Sequence, residues 1–259
     1  VQIQEALGID TVGALDVRNQ CSGFVYGVSV ADQYIKSGMY KNVLVIGSEL
    51  QSRGIDISTR GRSISVIFGD GAGAAILSRE EDTTRGILST HLHSEGQHAL
   101  ELAAEAPGMG KRWVTEIIED NDPEDMSYRP YMNGQFVFKN AIKRFSEVIH
   151  QGLEANGLQV SDIDMLIPHQ ANLRIAQFIQ KKFQLTDDQV FNNIQNYELN
   201  KIYKCRVVKL ADFGAFVELE PGLTALLHQS QLSWTKKNAS AKKMFKLHEM
   251  IDVVIQEID

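Results

Sequence analysis

The chain has 259 residues, 43% of them hydrophobic and 23% charged, and a formal net charge of −7 at pH 7. That length suits one large domain or a medium and a small one, and the composition is that of an ordinary globular protein. No apolar run is long enough to span a membrane, and the first residues lack the basic stretch and apolar core of a secretory signal.

Residues 1–200 carry 17 basic against 26 acidic side chains, whereas residues 201–259 carry 9 against 7. The break near position 200 is a candidate domain boundary, with the basic side at the C-terminal end. The two cysteines, Cys21 and Cys205, lie in segments of different character. This argues against a disulfide framework and predicts a reducing, cytoplasmic setting. The opening residues start within a helical pattern and without Met, which predicts a truncated beginning.

In chain order, Ala14 to Val17 reads as a short strand. A polar turn follows, and then a helix with Cys21, Phe24, Val25, Val28, Ala31 and Ile35 on one face. The thiol at that helix start meets unpaired N–H groups and the positive end of the macrodipole, which favour thiolate. Val43 to Ile46 is a continuous apolar run and predicts a strand covered on both faces, giving a parallel crossover unit. Gly69, Gly71 and Gly73 lead into a strand and do not open a helix, so they form no dinucleotide fingerprint. Gly86 to His93 reads as a further strand. His91, His93 and His98 sit in a polar loop without nearby cysteine and read as solvated, so no metal site is expected. Residues 116–125 form an acidic surface stretch.

Phe136 to Leu153 has helical spacing, with Gly157 just past its end. Asp164 to Ile167 reads as a strand, residues 168–172 as a polar turn bearing His169, and Ala171 to Phe183 as a second helix. Strand, reactive turn and helix thus occur twice, a layout able to bring Cys21 and His169 to one end of a sheet system. Beyond Tyr197, short strands at 204–210, 215–219, 223–227 and 253–258 suggest a small barrel.

Four segments carry a resemblance: Asn19 to Phe24, Phe68 to Ala74, Met132 to Gly134, and Ile167 to Ile175. Through them residues 1–197 resemble β-ketoacyl-acyl-carrier-protein synthase III, an α/β condensing enzyme of thiolase-like layered fold with mixed sheets and covering helices. The resemblance implies that Cys21 is the nucleophile. It would take an acyl group from coenzyme A as a thioester, with no permanently bound cofactor. His169 would be a hydrogen-bond donor for decarboxylative condensation with malonyl carrier protein, Asn172 would contact coenzyme A, and Arg174 would dock the acyl carrier protein; a solvated helix-face cation is the alternative for Arg174. It also implies a homodimer. The third catalytic residue of the family, an asparagine two positions after Tyr197, is replaced by Leu199, and Asn200 comes one residue late.

Residues 201–259 resemble the RNA-binding OB-fold repeat of the largest small-subunit ribosomal protein, through Asp212 to Leu219, Leu226 to His228 and Leu232 to Trp234. This implies an all-β, OB-like barrel lacking its last strand. Phe213 and Phe216 would stack bases of single-stranded RNA with His228 beside them, and Lys236 and Lys237, with Lys242 and Lys243, would meet phosphates. Ordinary barrel core is the alternative for both phenylalanines. Three readings follow: an acyltransferase of fatty acid biosynthesis initiation with impaired condensation, an RNA-binding protein, or a chimera of two unrelated gene fragments.

Overall fold

Apolar stripes place the longer helices, two of them begun by asparagine caps. The computed structural model describes residues 2–52, 54–82, 84–105, 129–192, 197–220, 223–233 and 240–256. It divides into two units, Val1–Ser48 with Ala72–Leu92, and Glu49–Gly71 with His93–Asp259.

The first unit begins with the short helix α1 (Gln2–Ala6). A 3₁₀ turn at Gln20–Ser22 leads into α2 (Gly23–Lys36). Strands β1 (Asn42–Glu49) and β2 (Gly71–Ser78) form a two-stranded sheet. Gly27 lets α2 approach β1, because a Cβ there would lie 3.1 Å from Cγ1 of Val45. Asp32, buried on α2, is held by Lys36 Nζ at 2.8 Å, and Lys36 also donates to the Ile87 carbonyl at 3.2 Å. Ser29 and Thr90 hydroxyls meet at 3.0 Å, so segment 87–90 is tied to α2 through the side chains of Ser29 and Lys36.

Three expectations are corrected here. Residues 14–17 and 86–93 are irregular and join no sheet among the described residues, so β1 is not the second strand of a crossover unit there. β1 is not covered on both faces either: Val45 is buried, while Leu44 and Ile46 are exposed. Among the described residues one neighbouring strand and one helix lie against β1, short of the layers a fully buried strand needs.

The second unit contains a 3₁₀ turn at Thr59–Gly61 running into α3 (Arg62–Ser65), and a short antiparallel pair, β3 (Leu102–Ala103) with β4 (Tyr131–Met132). The acidic stretch 116–125 lies outside the described residues. Helix α4 (Gly134–Ala155) starts at Asn133, whose side-chain oxygen accepts from Phe136 N–H, and gives way to Gly157 at φ +66°. Helix α5 (Leu173–Phe183) is capped by Asn172, which accepts from Arg174 N–H at 2.8 Å, and ends at left-handed Gln184. Ala176, Ile179 and Phe183 of α5, with Leu185 and Val190, form a core against Phe145, Ile149 and Leu166. The expected strand at 164–167 reduces to one parallel bridge, Leu166 to Val190.

The C-terminal strands are β5 (Ile202–Ala211), β6 (Gly214–Glu220), β7 (Leu223–His228) and β8 (Met250–Val254), with the short helix α6 (Ala241–Met244) before the last. They form an antiparallel sheet in the order β7-β6-β5-β8, open rather than closed into a barrel among the described residues. The last strand lies a few residues before its expected position. One face carries Cys205, Val207, Ala215 and Val217, packed with Ala241, Leu227 and Ile251. The opposite face carries Phe216 and Val208, clustered with Ala211, Phe213 and, from far upstream, Ile57. A bulge in β5 makes this possible, because Val207 pairs with Val217 but Lys209 pairs with Phe216. Val208 and Lys209 therefore both attend the Phe216 side.

Candidate active site and nucleic-acid face

Cys21 sits in the 3₁₀ turn immediately before α2, in the first unit, exposed and outside any disulfide. The turn is closed locally: Asn19 Nδ2 donates to Ser22 Oγ at 3.1 Å, and that hydroxyl donates to the Asn19 carbonyl. Gln20 is held at φ +45°, a conformation that costs a non-glycine residue energy and is concentrated at functional turns. The consequence is a thiol presented at the surface where a helix of 14 residues begins. Cys205 is its opposite: it is fully buried in the C-terminal sheet, and burial, reinforced by Asp252, pushes its thiol pKa up.

His169, Asn172 and Arg174 belong to the second unit, on the turn into α5 and its first residues. Gln170 fixes that turn, its amide donating to the carbonyls of Pro168 at 2.9 Å and Phe191 at 3.2 Å. The sequence did not single out this residue; its signal, a long amide between proline and a helix cap, is weak. The His169 side chain reaches the surface, yet the protein packed around it displaces enough water to lower its pKa from the ordinary value. Neutral imidazole, one nitrogen donating, is thus the form at pH 7. Asn172 uses its oxygen to cap α5, leaving its amide nitrogen as the donor end. Arg174 is exposed on the first turn. Leu199 is exposed at 54%, and Asn200 adopts φ +64° with its N–H donating to the Ile255 carbonyl at 2.7 Å. Positions 199 and 200 therefore form the entry turn of the C-terminal sheet.

Phe213 and Phe216 are brought together edge to face, with centroids 6.1 Å apart. As they stand they are not open stacking platforms, since their relative exposures are 1% and 6%. The covering residue is Ile57, whose carbonyl also accepts from Asp212 N–H at 3.3 Å. Lys209, not anticipated from sequence, places Nζ 5.2 Å from the Phe216 ring centroid. Burial pushes its pKa down, with Asp70 acting the other way. His228 stands opposite Gly214, with Nδ1 bonded by Ser230 and Nε2 buried without a hydrogen bond among the described residues. Lys242 is engaged by Asp212 at 2.6 Å, while Lys236 and Lys237 lie outside the described residues.

Beside Ile57, Asp56 is gripped by Arg60 at 2.9 Å, Arg129 at 2.6 Å and Ser58 N–H at 2.9 Å. Burial alone would raise its pKa, but the hydrogen bonds from Ser58 and Arg60 and the charge of Arg129 hold it well below the usual carboxylate range. Asp56, Arg60 and Arg129 line a hollow of about 260 Å³ together with Tyr131 and Met132. No group of three or more potential metal ligands gathers among the described residues, and none of their helices is long and apolar enough to cross a membrane.

Residues 15–96 match a family model described as 3-oxoacyl-[acyl-carrier-protein (ACP)] synthase III, and residues 153–198 match the model of its C-terminal part. Residues 196–259 match an S1 RNA binding domain. A β-ketoacyl-[acyl-carrier-protein] synthase III of Caldanaerobacter subterraneus is 37% identical over 244 residues, covering 90% of this chain and 71% of that protein. The protein of the same name from Actinobacillus pleuropneumoniae is 44% identical over 199 residues, covering 77% and 58%. The crystal structure of the Aquifex aeolicus synthase III superposes with a TM-score of 0.63 at 37% identity, covering 76% of this chain and 56% of that one. The Thermus thermophilus enzyme gives 0.65 at 31%, covering 76% and 57%. The chain thus spans little more than half the length of several of the relatives it matches. It belongs to the β-ketoacyl-[acyl-carrier-protein] synthase III family, of thiolase-like fold, and carries an S1 RNA-binding domain at its C-terminal end.

Proposed function

We propose that this chain performs the first half of the condensing reaction that starts fatty acid biosynthesis. Cys21 attacks the carbonyl of an acyl-coenzyme A, the acyl–sulfur bond breaks, and coenzyme A leaves as a thiolate that takes up a proton. The supporting observation is the exposed Cys21 thiol on a strained turn at the start of α2, inside the segment matching the synthase III model. No resident cofactor is needed, and the setting is cytoplasmic.

In the second half, loss of carbon dioxide from malonyl carrier protein leaves an electron pair that moves onto the thioester oxygen as an enolate. A neutral His169 donating a hydrogen bond would stabilise that oxygen without adding charge. Asn172 would contact coenzyme A, and Arg174 would dock the carrier protein. With Leu199 in place of an amide, the enolate has one donor fewer, so condensation is impaired while acylation persists. Removal of one such donor costs about 10²–10³ in rate in other enzymes. Incubation with radiolabelled acetyl-coenzyme A should leave acid-stable label on Cys21, and none in Cys21→Ala. Condensation with malonyl carrier protein should run at least a hundredfold slower than acylation; equal rates would refute the impairment.

The second reading is single-stranded RNA binding by residues 201–259, supported by the S1 match and by Lys209 poised over Phe216. We place the boundary between a condensing-enzyme region, 1–197, and this domain at residues 198–200. Fluorescence titration with single-stranded RNA should give an affinity that falls as salt rises; absent or salt-insensitive binding would count against it.

A further inference from the structure

The outer face of the C-terminal sheet is chemically mixed in a way that packing alone does not require. Two aromatic rings meet there edge to face, a lysine ammonium lies over one of them, and His228, paired across from Gly214, buries a ring nitrogen that no described residue satisfies. What covers this face is correspondingly mixed but slight. Ile57 supplies an apolar side chain and one long backbone hydrogen bond, and Asp70 supplies the negative charge felt by Lys209. Asp70 is fixed for that task by Ser52, which donates from its N–H at 2.8 Å and its hydroxyl at 2.6 Å. An apolar surface against the rings and an anion near the lysine are the two chemistries that a base and its phosphate present.

We propose that Ile57 is an internal occupant of the single-stranded RNA face of this sheet, and that RNA binds there only by displacing it. The inference rests on the RNA-binding reading above. Release of Ile57 leaves the Asp56 cluster intact, because Asp56 is held by Arg60, Arg129 and Ser58 and not by the sheet. A competitor tethered in the same chain lowers apparent affinity by the fraction of molecules in which the face is open. An open fraction of about a tenth weakens binding about tenfold.

The test uses the full chain and a fluorescein-labelled oligouridylate followed by anisotropy. Ile57→Ser should bind about tenfold more tightly than wild type, Asp70→Asn severalfold more tightly, and Lys209→Gln in the Ile57→Ser background should lose most of the gain. Hydrogen exchange on the unmutated chain provides a readout independent of variant folding: saturating RNA should speed exchange at Asp212 N–H, which donates to Ile57 when the face is closed. Equal RNA affinity for wild type and Ile57→Ser, with Asp212 exchange unchanged by RNA, would overturn the displacement and leave RNA binding standing. No binding by either protein, both shown folded by circular dichroism, would overturn the RNA reading and the displacement with it.

Discussion

Strands β1 and β6 are similarly apolar and meet opposite fates. In β1 only Val45 is buried, whereas in β6 the first four residues, Gly214 to Val217, all are. The difference lies in their neighbours. β6 is central in an antiparallel meander whose connections are short, so partners on both sides arrive from nearby in the chain. One of its faces meets the Cys205–Val207 cluster and the other meets Ile57. Among the described residues β1 has β2 alone as a ladder partner, and that strand is reached after an excursion into the other unit. Apolar composition makes burial favourable, but layers on both sides make it happen.

A matched pair of phenylalanines breaks or sharpens this comparison most directly. Phe213, 1% exposed, should cost about 3–5 kcal/mol when replaced by alanine, and Phe24, 42% exposed, no more than about 1 kcal/mol, both read from urea denaturation. Similar losses would mean that the β1 region is as tightly packed as the C-terminal sheet. Next come the two glycines of close approach. A Cβ at Gly214 would lie 2.3 Å from the Leu227 carbonyl oxygen, so Gly214→Ala should destabilise by about 1–3 kcal/mol. At Gly27 the obstacle is a Val45 methyl at 3.1 Å, and the same change should cost less, because a side chain gives way more easily than backbone and alanine favours the helix.

The third prediction concerns acid. Asp56 has a folded pKa held below its unfolded value, so its contribution is full above the unfolded pKa of about 4 and is lost as pH falls further. Asp56→Asn should lower stability by about 1–2 kcal/mol at neutral pH and flatten the acid limb of the stability curve; an unchanged limb would show that Arg60 and Arg129 do not hold the carboxylate in solution. His169 works in the other sense. Its folded pKa is lowered, so the unfolded chain takes up the proton first, and stability falls as pH drops below about 6.5 and then levels off. His169→Gln should remove that small slope. Smallest of all, Cys21→Ala should shift stability by no more than about 0.5 kcal/mol, since the thiol is exposed, while abolishing acyl labelling.

Where local pattern determined structure, the sequence was readable. α4 and α5 announce themselves by apolar spacing, and β2 by the run of glycines at its start. Ala14 to Val17 carries the same local signal as a strand yet finds no ladder partner among the described residues, and a strand is defined by its partner. The motifs bearing Cys21 and His169 were legible because chemistry restricts residue type. The cover over Phe213 was not, because Ile57 and Phe213 are far apart in sequence and nothing in either segment names the other. Lys209 escaped for a related reason: a one-residue bulge turns it towards Phe216, and bulges leave little trace in an alternating pattern.

That bulge has a consequence for how this sheet can change. Val207 pairs with Val217 before it and Leu210 with Ala215 after it, and all four line the same core. Excising Val208 would leave both inward positions in phase, because the extra residue is added to the exterior alone. The sheet can therefore gain or lose a residue on its outer surface, altering what it grips, without a single side chain of the inner core changing places.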